Sequence, residues 1–326
     1  MKVVVQPSRP QLWRRIPPVY VILVVITVVA WILVELYGRG SFFGKENIAN
    51  ILQRSVSLGI VSVGQTFTIL AGSLDLSVAN MISVSAVMSS YIMQGDPSRV
   101  PFAIATVVLI GVIVGLVNGL LITQLRVNPL ISTLGTGLLL QGILSASFRN
   151  FAGSVPEEFQ VLAYGSIGPI SYSVLMFIII ASIGVFILRK TRFGAHLYAV
   201  GGSQEVSRLS GLRTTRVLLG AHVIASLTAV ITGIYLASRL GAGAPWVGRD
   251  GVYDLESIAV VVIGGTALAG GRGGVMGTVA GVLIFAILDS MFNLLGVGSY
   301  LKQVLRGLII IAAVASYSIR TKEEVS

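Results

Sequence analysis

A single acid, Asp75, interrupts a long apolar stretch, for it is the only charged residue between Arg54 and Asp96. A carboxylate at the centre of a hydrocarbon layer costs at least ~2.5–3.5 kcal/mol on insertion scales, so its neighbours must relieve it. Gly72 and Ser73 precede it and Ser77 follows. Those residues predict a polar break between two helices, with Asp75 near the N-terminus of the second. There a carboxylate accepts backbone N–H groups and meets the positive end of the helix dipole. The competing chemistry is a proton or ion relay.

Other polar groups in or beside apolar runs are Arg54, Gln65, Asn118, Asn128, Gln141, Glu256, Asp289, Asn293 and Arg306. Most are neutral hydrogen-bonding groups. That inventory suits a path for a polyhydroxylated neutral solute better than a chain of acids passing protons. Asp75, Asn118, Asn128, Asp289 and Asn293 are the candidate pathway residues, with helix–helix hydrogen bonding as the structural alternative for each.

The chemistry of an enzyme is missing. Gly44-Lys45 continues as Glu46-Asn47, so no phosphate-binding P-loop forms, and neither an HExxH metal pair nor a GxSxG nucleophile elbow occurs. His196 and His222 flank a polar segment and read as surface or interfacial residues. With no cysteine there is no thiolate nucleophile or metal site. No catalytic residue, metal ligand set or bound cofactor is expected on this chain.

The elements that position these groups are helices in a membrane. Apolar residues make up 54% of the chain and charged residues 11%, with a mean hydropathy of +0.89, against about a quarter charged in soluble domains. Apolar runs near 17–37, 48–70, 76–94, 101–124, 129–148, 169–189, 217–237, 255–271, 275–294 and 302–319 predict an all-α protein of about ten transmembrane helices. The first run is longer than a signal-peptide core and reads as retained. The net charge of +10 is scattered between the runs and forms no nucleic-acid stripe. With both termini cytoplasmic, the basic residues concentrate inside, at Lys2, Arg9, Arg14 and Arg15, at Arg126, at Arg189 to Arg216, and at Arg272, Arg320 and Lys322. The organisation expected is a cytoplasmic segment 1–16, a membrane domain 17–319 and a cytoplasmic tail 320–326.

The longest polar loop, 190–216, contains "SQEVSRLSG", in which Ser203 is a helix N-cap and Gly211 a left-handed stop. A soluble partner could dock there. Gly111, Gly115 and Gly119 recur at four-residue spacing on the fourth run, and Gly273, Gly277 and Gly281 at the start of the ninth. Such ladders permit close helix packing. Their positions five runs apart suggest an inverted repeat.

The blocks "AGSLDLSVANMISVSAV", "NGLLITQLRVNPLISTLGT", "YAVGGSQEVSRLSGL", "AVVVIGGTALAGGRGGVMGTVAGVLI" and "NLLGVGSYLKQVLRGLIIIAAV" resemble, in order and spacing, the permease subunit of bacterial ABC importers for ribose and related simple sugars. The resemblance implies a multi-pass inner-membrane subunit that carries sugar by alternating access and pairs with a second permease. It also implies that ATP and Mg are bound by a separate cytoplasmic ATPase subunit, and that solute arrives from a periplasmic or lipid-anchored sugar-binding protein. By the same resemblance Ser203, Gln204, Glu205, Arg208, Leu209 and Gly211 belong to the coupling helix that enters a groove of the ATPase. Relatives often show Glu-Ala-Ala where this chain has Gln204-Glu205-Val206-Ser207, Glu-Leu-Asp at Asp254-Leu255-Glu256, and Asn-Asn at Asp289-Ser290. The alternatives are an ion-coupled secondary transporter and an importer of branched-chain amino acids.

Overall fold

The computed structural model describes residues 17–323, with side chains as far as Ala312. The 1–16 segment and the end of the 320–326 tail lie outside the described residues.

Each predicted run contains a helix. The chain forms α1 (Pro18–Tyr37), α2 (Lys45–Leu70), α3 (Val78–Met93), α4 (Val100–Thr123) and α5 (Pro129–Ser147). After a short α6 (Glu157–Tyr164), a two-stranded hairpin pairs β1 (Ser166–Ile167) with β2 (Ile170–Ser171) and leads into α7 (Tyr172–Lys190). The polar loop folds into α8 (Arg192–Gly202) and α9 (Gln204–Leu209). Then come α10 (Thr214–Leu240), α11 (Val247–Asp250), α12 (Tyr253–Ile263), α13 (Val275–Leu294) and α14 (Ser299–Glu323). The small hairpin and the short helices α6, α8 and α11 escape the sequence reading, because none carries a run of spanning length.

Six helices, α1, α4, α5, α7, α10 and α13, are long and apolar enough to cross a membrane among the described residues. The eighth predicted span, 255–271, is corrected: α12 ends at Ile263, where Gly264 and Gly265 (φ +87°) turn the chain into an irregular glycine-rich loop. At 11 residues α12 is too short to span alone, since ~20 residues are needed. Gly273 is likewise corrected. It lies in that loop at φ +123°, ahead of the first turn of α13.

The centre of the bundle is α2 and α10, buried along most of their length. Apolar helices gain nothing by exchanging lipid for one another, so close van der Waals contact must hold them. Glycine supplies it: a Cβ on Gly115 would lie 2.6 Å from Cα of Val223, one on Gly119 2.9 Å from Cα of Leu219, and one on Gly64 2.8 Å from Cα of Ala225. The first ladder therefore seats α4 on α10. In the second, Gly277 and Gly281 meet the backbone of Gly264 and Val260 and seat α13 on α12. On the periphery α1 and α5 expose Val21, Val24, Leu138, Leu139 and Ile143, a surface suited to lipid.

Candidate functional site

The break between α2 and α3 is where sequence places it; Gly72 reaches the surface, but Ser73, Asp75 and Ser77 are enclosed. Asp75 is 0% exposed. Its Oδ1 accepts from the backbone N–H of Ser77 at 2.9 Å and from the Ser77 hydroxyl at 2.5 Å, just ahead of the first residue of α3. That oxygen thus closes a turn ahead of α3 without capping its first-turn N–H groups, since the N-cap residue is Ser77 itself. The other oxygen, Oδ2, lies 3.1 Å from Nδ1 of His222 on α10, and the Asn118 amide on α4 donates to it at 3.5 Å and to the Ser77 hydroxyl at 2.9 Å.

His222 corrects the surface or interfacial reading, for it is 0% exposed and both ring nitrogens are engaged. A carboxylate only accepts, so Nδ1–H donates to Asp75, and in the neutral ring Nε2 is left to accept from the Ser73 hydroxyl at 2.9 Å. The break is also held by its backbone. The Gln65 amide donates to the Asp75 carbonyl (3.2 Å) and accepts from its N–H (3.3 Å), and the Leu76 N–H donates to the Thr133 hydroxyl on α5 at 3.0 Å. Side chains from α2, α4, α5 and α10 thus fix one short segment.

A second polar array lies towards the other end of α2, where that helix meets α12, α13 and α14. Asp289 on α13 accepts from Arg54 on α2 (2.5 Å), from Arg306 on α14 (2.6 Å) and from Asn293 (3.3 Å). Arg306 also donates to Glu256 on α12 at 3.1 Å, and Lys302 donates to Asn293. The carboxylates are withdrawn, 14% and 9% exposed, while the guanidinium side chains of Arg54 and Arg306 reach the surface at 45% and 34%. Asp289 is therefore a shared counter-ion. Asn128 joins neither group; it caps α5 by accepting from the Leu130 N–H at 2.9 Å.

The 190–216 loop ends in a separate, outward feature. The Ser203 hydroxyl accepts from the Val206 N–H at 3.3 Å to start α9, and Gly211 at φ +82° lets the chain turn back towards α10. Gln204, Glu205 and Arg208 are exposed, and Val206 and Leu209 present apolar side chains 61% and 78% exposed. Behind α9, α8 is packed onto the bundle. A Cβ on Gly201 would fall 1.7 Å from the Leu70 carbonyl, and the Gly271 N–H donates to that carbonyl at 3.0 Å. Burial raises the Tyr198 phenol above its usual value, and its hydroxyl donates to the Gly273 carbonyl at 2.9 Å.

A bundle of long apolar helices around a buried acid, with a capped helix projecting from one end, defines a multi-pass membrane protein. The family model for the permease component of branched-chain amino acid transport systems matches residues 47–314, and the chain belongs to that family. The ribose import permease protein RbsC of Bacillus subtilis is 34% identical over 287 residues, covering 84% of this chain and 85% of the relative. RbsC of Haemophilus influenzae is 31% identical over 282 residues, 84% and 85% of the two chains. The galactose/methyl galactoside import permease protein MglC of Escherichia coli K12 is 31% identical over 322 residues, 93% and 94% of the two. No solved structure matches the chain.

Proposed function

We propose that this protein is the membrane permease subunit of an ATP-driven importer of a simple sugar of the ribose or galactose type. Relatives named as ribose and galactose import permeases across most of the chain support the solute class. The observation that carries the ATP-driven reading is α9, a capped helix exposing Val206 and Leu209 beyond the bundle. Exposed apolar groups on so short a helix suit insertion into a partner's groove. On this reading a cytoplasmic ATPase pair binds nucleotide and Mg and closes, α9 moves with it, and the bundle reorients.

The finer architecture follows the same reading. All ten runs cross or enter the membrane, with α12 completing its passage through the glycine loop. Helices pack in corresponding pairs, α4 on α10 and α13 on α2, α3 on α4 and α12 on α13, α3 on α5 and α12 on α14, as an inverted repeat of five would have them. Pro17, Tyr198 and Ala312 line one groove of about 1220 Å³, which supports both termini lying on the α9 side. A second permease covers the exposed face of α14, and the Arg54–Asp289–Arg306 array beside it faces the solute, where guanidinium donors suit sugar hydroxyls.

The test is uptake of labelled ribose and galactose by cells carrying this chain with an ATP-binding subunit and a sugar-binding protein. Uptake persists when a protonophore collapses the ion gradient while ATP is maintained. Uptake that disappears with the gradient, or that needs no ATPase, overturns the proposal in favour of ion coupling.

A further inference from the structure

The coupling segment has two arms, and both end on the same short stretch of chain. Going backwards from α9, α8 brings Gly201 against the Leu70 carbonyl at the last residue of α2. Going forwards, α10 carries His222 onto Asp75, about 12 Å along the helix from Thr214 at ~1.5 Å per residue. Leu70 and Asp75 bracket the break, which turns at Gly72 (φ +74°) and is the one place where α2 and α3 join.

We propose that the His222–Asp75 pair is the joint through which displacement of α9 reaches α2 and α3, making His222 a positioning residue for coupled transport. The inference rests on the permease reading above. Two features distinguish a joint from ordinary packing. The contact is directional: the imidazole bridges Asp75 and Ser73 with its two nitrogens, so a rotation or slide of α10 pulls on both sides of Leu74. The surroundings are also incompletely satisfied, since Asn118 Oδ1 on α4 and Ser226 Oγ on α10 are buried without a hydrogen-bond partner among the described residues. Buried orphans are costly and call for an explanation. Asn118 lies beside Gly119, which meets Leu219, and Ser226 lies against Gly111, about 10 Å away along α4; a shift of α10 that gives each a partner of its own supplies the two-position element that coupling requires.

The experiment measures sugar moved per ATP hydrolysed, using the full chain reconstituted with an ATP-binding subunit and a sugar-binding protein, with ribose and galactose as probes. His222→Phe keeps the bulk of the ring and removes both polar contacts; the ratio falls by roughly tenfold while the ATPase subunit still co-purifies and hydrolyses. His222→Gln, which can still donate to Asp75, retains most of the ratio. Should His222→Phe fail to assemble, the chain's lack of cysteine allows spin labels at Gly202→Cys, an exposed position just ahead of α9 where an added side chain meets nothing within 4 Å, and Tyr91→Cys in the His222→Gln and wild-type backgrounds. The label-to-label distance then changes with ATP in both, and only weakly in Asn118→Ala. An unchanged ratio in His222→Phe, or nucleotide-independent distances in an active wild type, overturns the joint alone. A wild-type assembly that hydrolyses ATP without moving sugar, or does neither, overturns the function reading and the joint with it.

Discussion

Asp75 Oδ2 and His222 Nδ1 lie 3.1 Å apart across 147 residues of sequence, both at zero exposure. The pair ties the α2–α3 break to α10, the helix that follows α9. Removing the carboxylate leaves the buried Nδ1–H of His222 and the Ser77 donors without their acceptor, a loss of about 1–3 kcal/mol for each buried donor left unpaired. Asp75→Ala should therefore lower the detergent melting temperature strongly. Asp75→Asn, which can still accept from Ser77, should lower it less. Equal melting of wild type and Asp75→Ala would contradict the geometry.

The opposite array makes a graded prediction. Arg306 serves both Glu256 and Asp289, whereas Arg54 serves Asp289 alone and is the more exposed. Arg306→Leu should destabilise by several kcal/mol, as expected where a mostly buried acid loses its partner. Arg54→Leu should cost about 1 kcal/mol or less, the range for exposed pairs. Denaturant titration of the two variants checks the order.

Helix packing is tested by paired glycine substitutions. Gly115→Ala places a methyl 2.6 Å from Cα of Val223, while at Gly135 an added methyl meets nothing within 4 Å. Overpacking costs about 1–3 kcal/mol, so Gly115→Ala should melt earlier and Gly135→Ala should not.

The docking role proposed for α9 predicts loss of binding without loss of fold. Leu209→Asp changes a side chain 78% exposed and should leave melting unchanged while abolishing co-purification of the ATPase subunit. Ser203→Ala removes the cap at Val206, worth ~1 kcal/mol to the helix, and should weaken that association. Gly211→Val, forced to φ +82°, should do so more severely, because β-branched residues resist that region.

Much of this was legible in the residues. Ser203 and Gly211 bound α9 because capping and left-handed stops are local chemistry, and Gly72, Asp75 and Ser77 marked a break for the same reason. His222 was misread because its place beside the 190–216 loop set it at that loop's rim, although the predicted run 217–237 already held it among apolar neighbours; α10 begins at Thr214 and carries it into the core. A signal existed: Leu218, His222, Ala225, Ala229 and Thr232 recur at helical spacing and are all buried, a stripe of mostly small residues of the kind that faces another helix. The partners of Asp289 were beyond reach, since Arg54 is 235 residues away and no periodicity links two helices across a bundle. The end of α12 turned on whether Gly264-Gly265 breaks a helix or is absorbed by it, which the packing of Gly277 against Gly264 decides.

The most direct measurement is solute accumulation in proteoliposomes holding the purified chain, with and without an added ATP-binding subunit, in the presence of ATP and a sugar-binding protein. The account predicts no ATP hydrolysis and no accumulation of ribose or galactose by the chain alone, and both once the ATPase subunit is present. Accumulation against a gradient by the chain alone would contradict it.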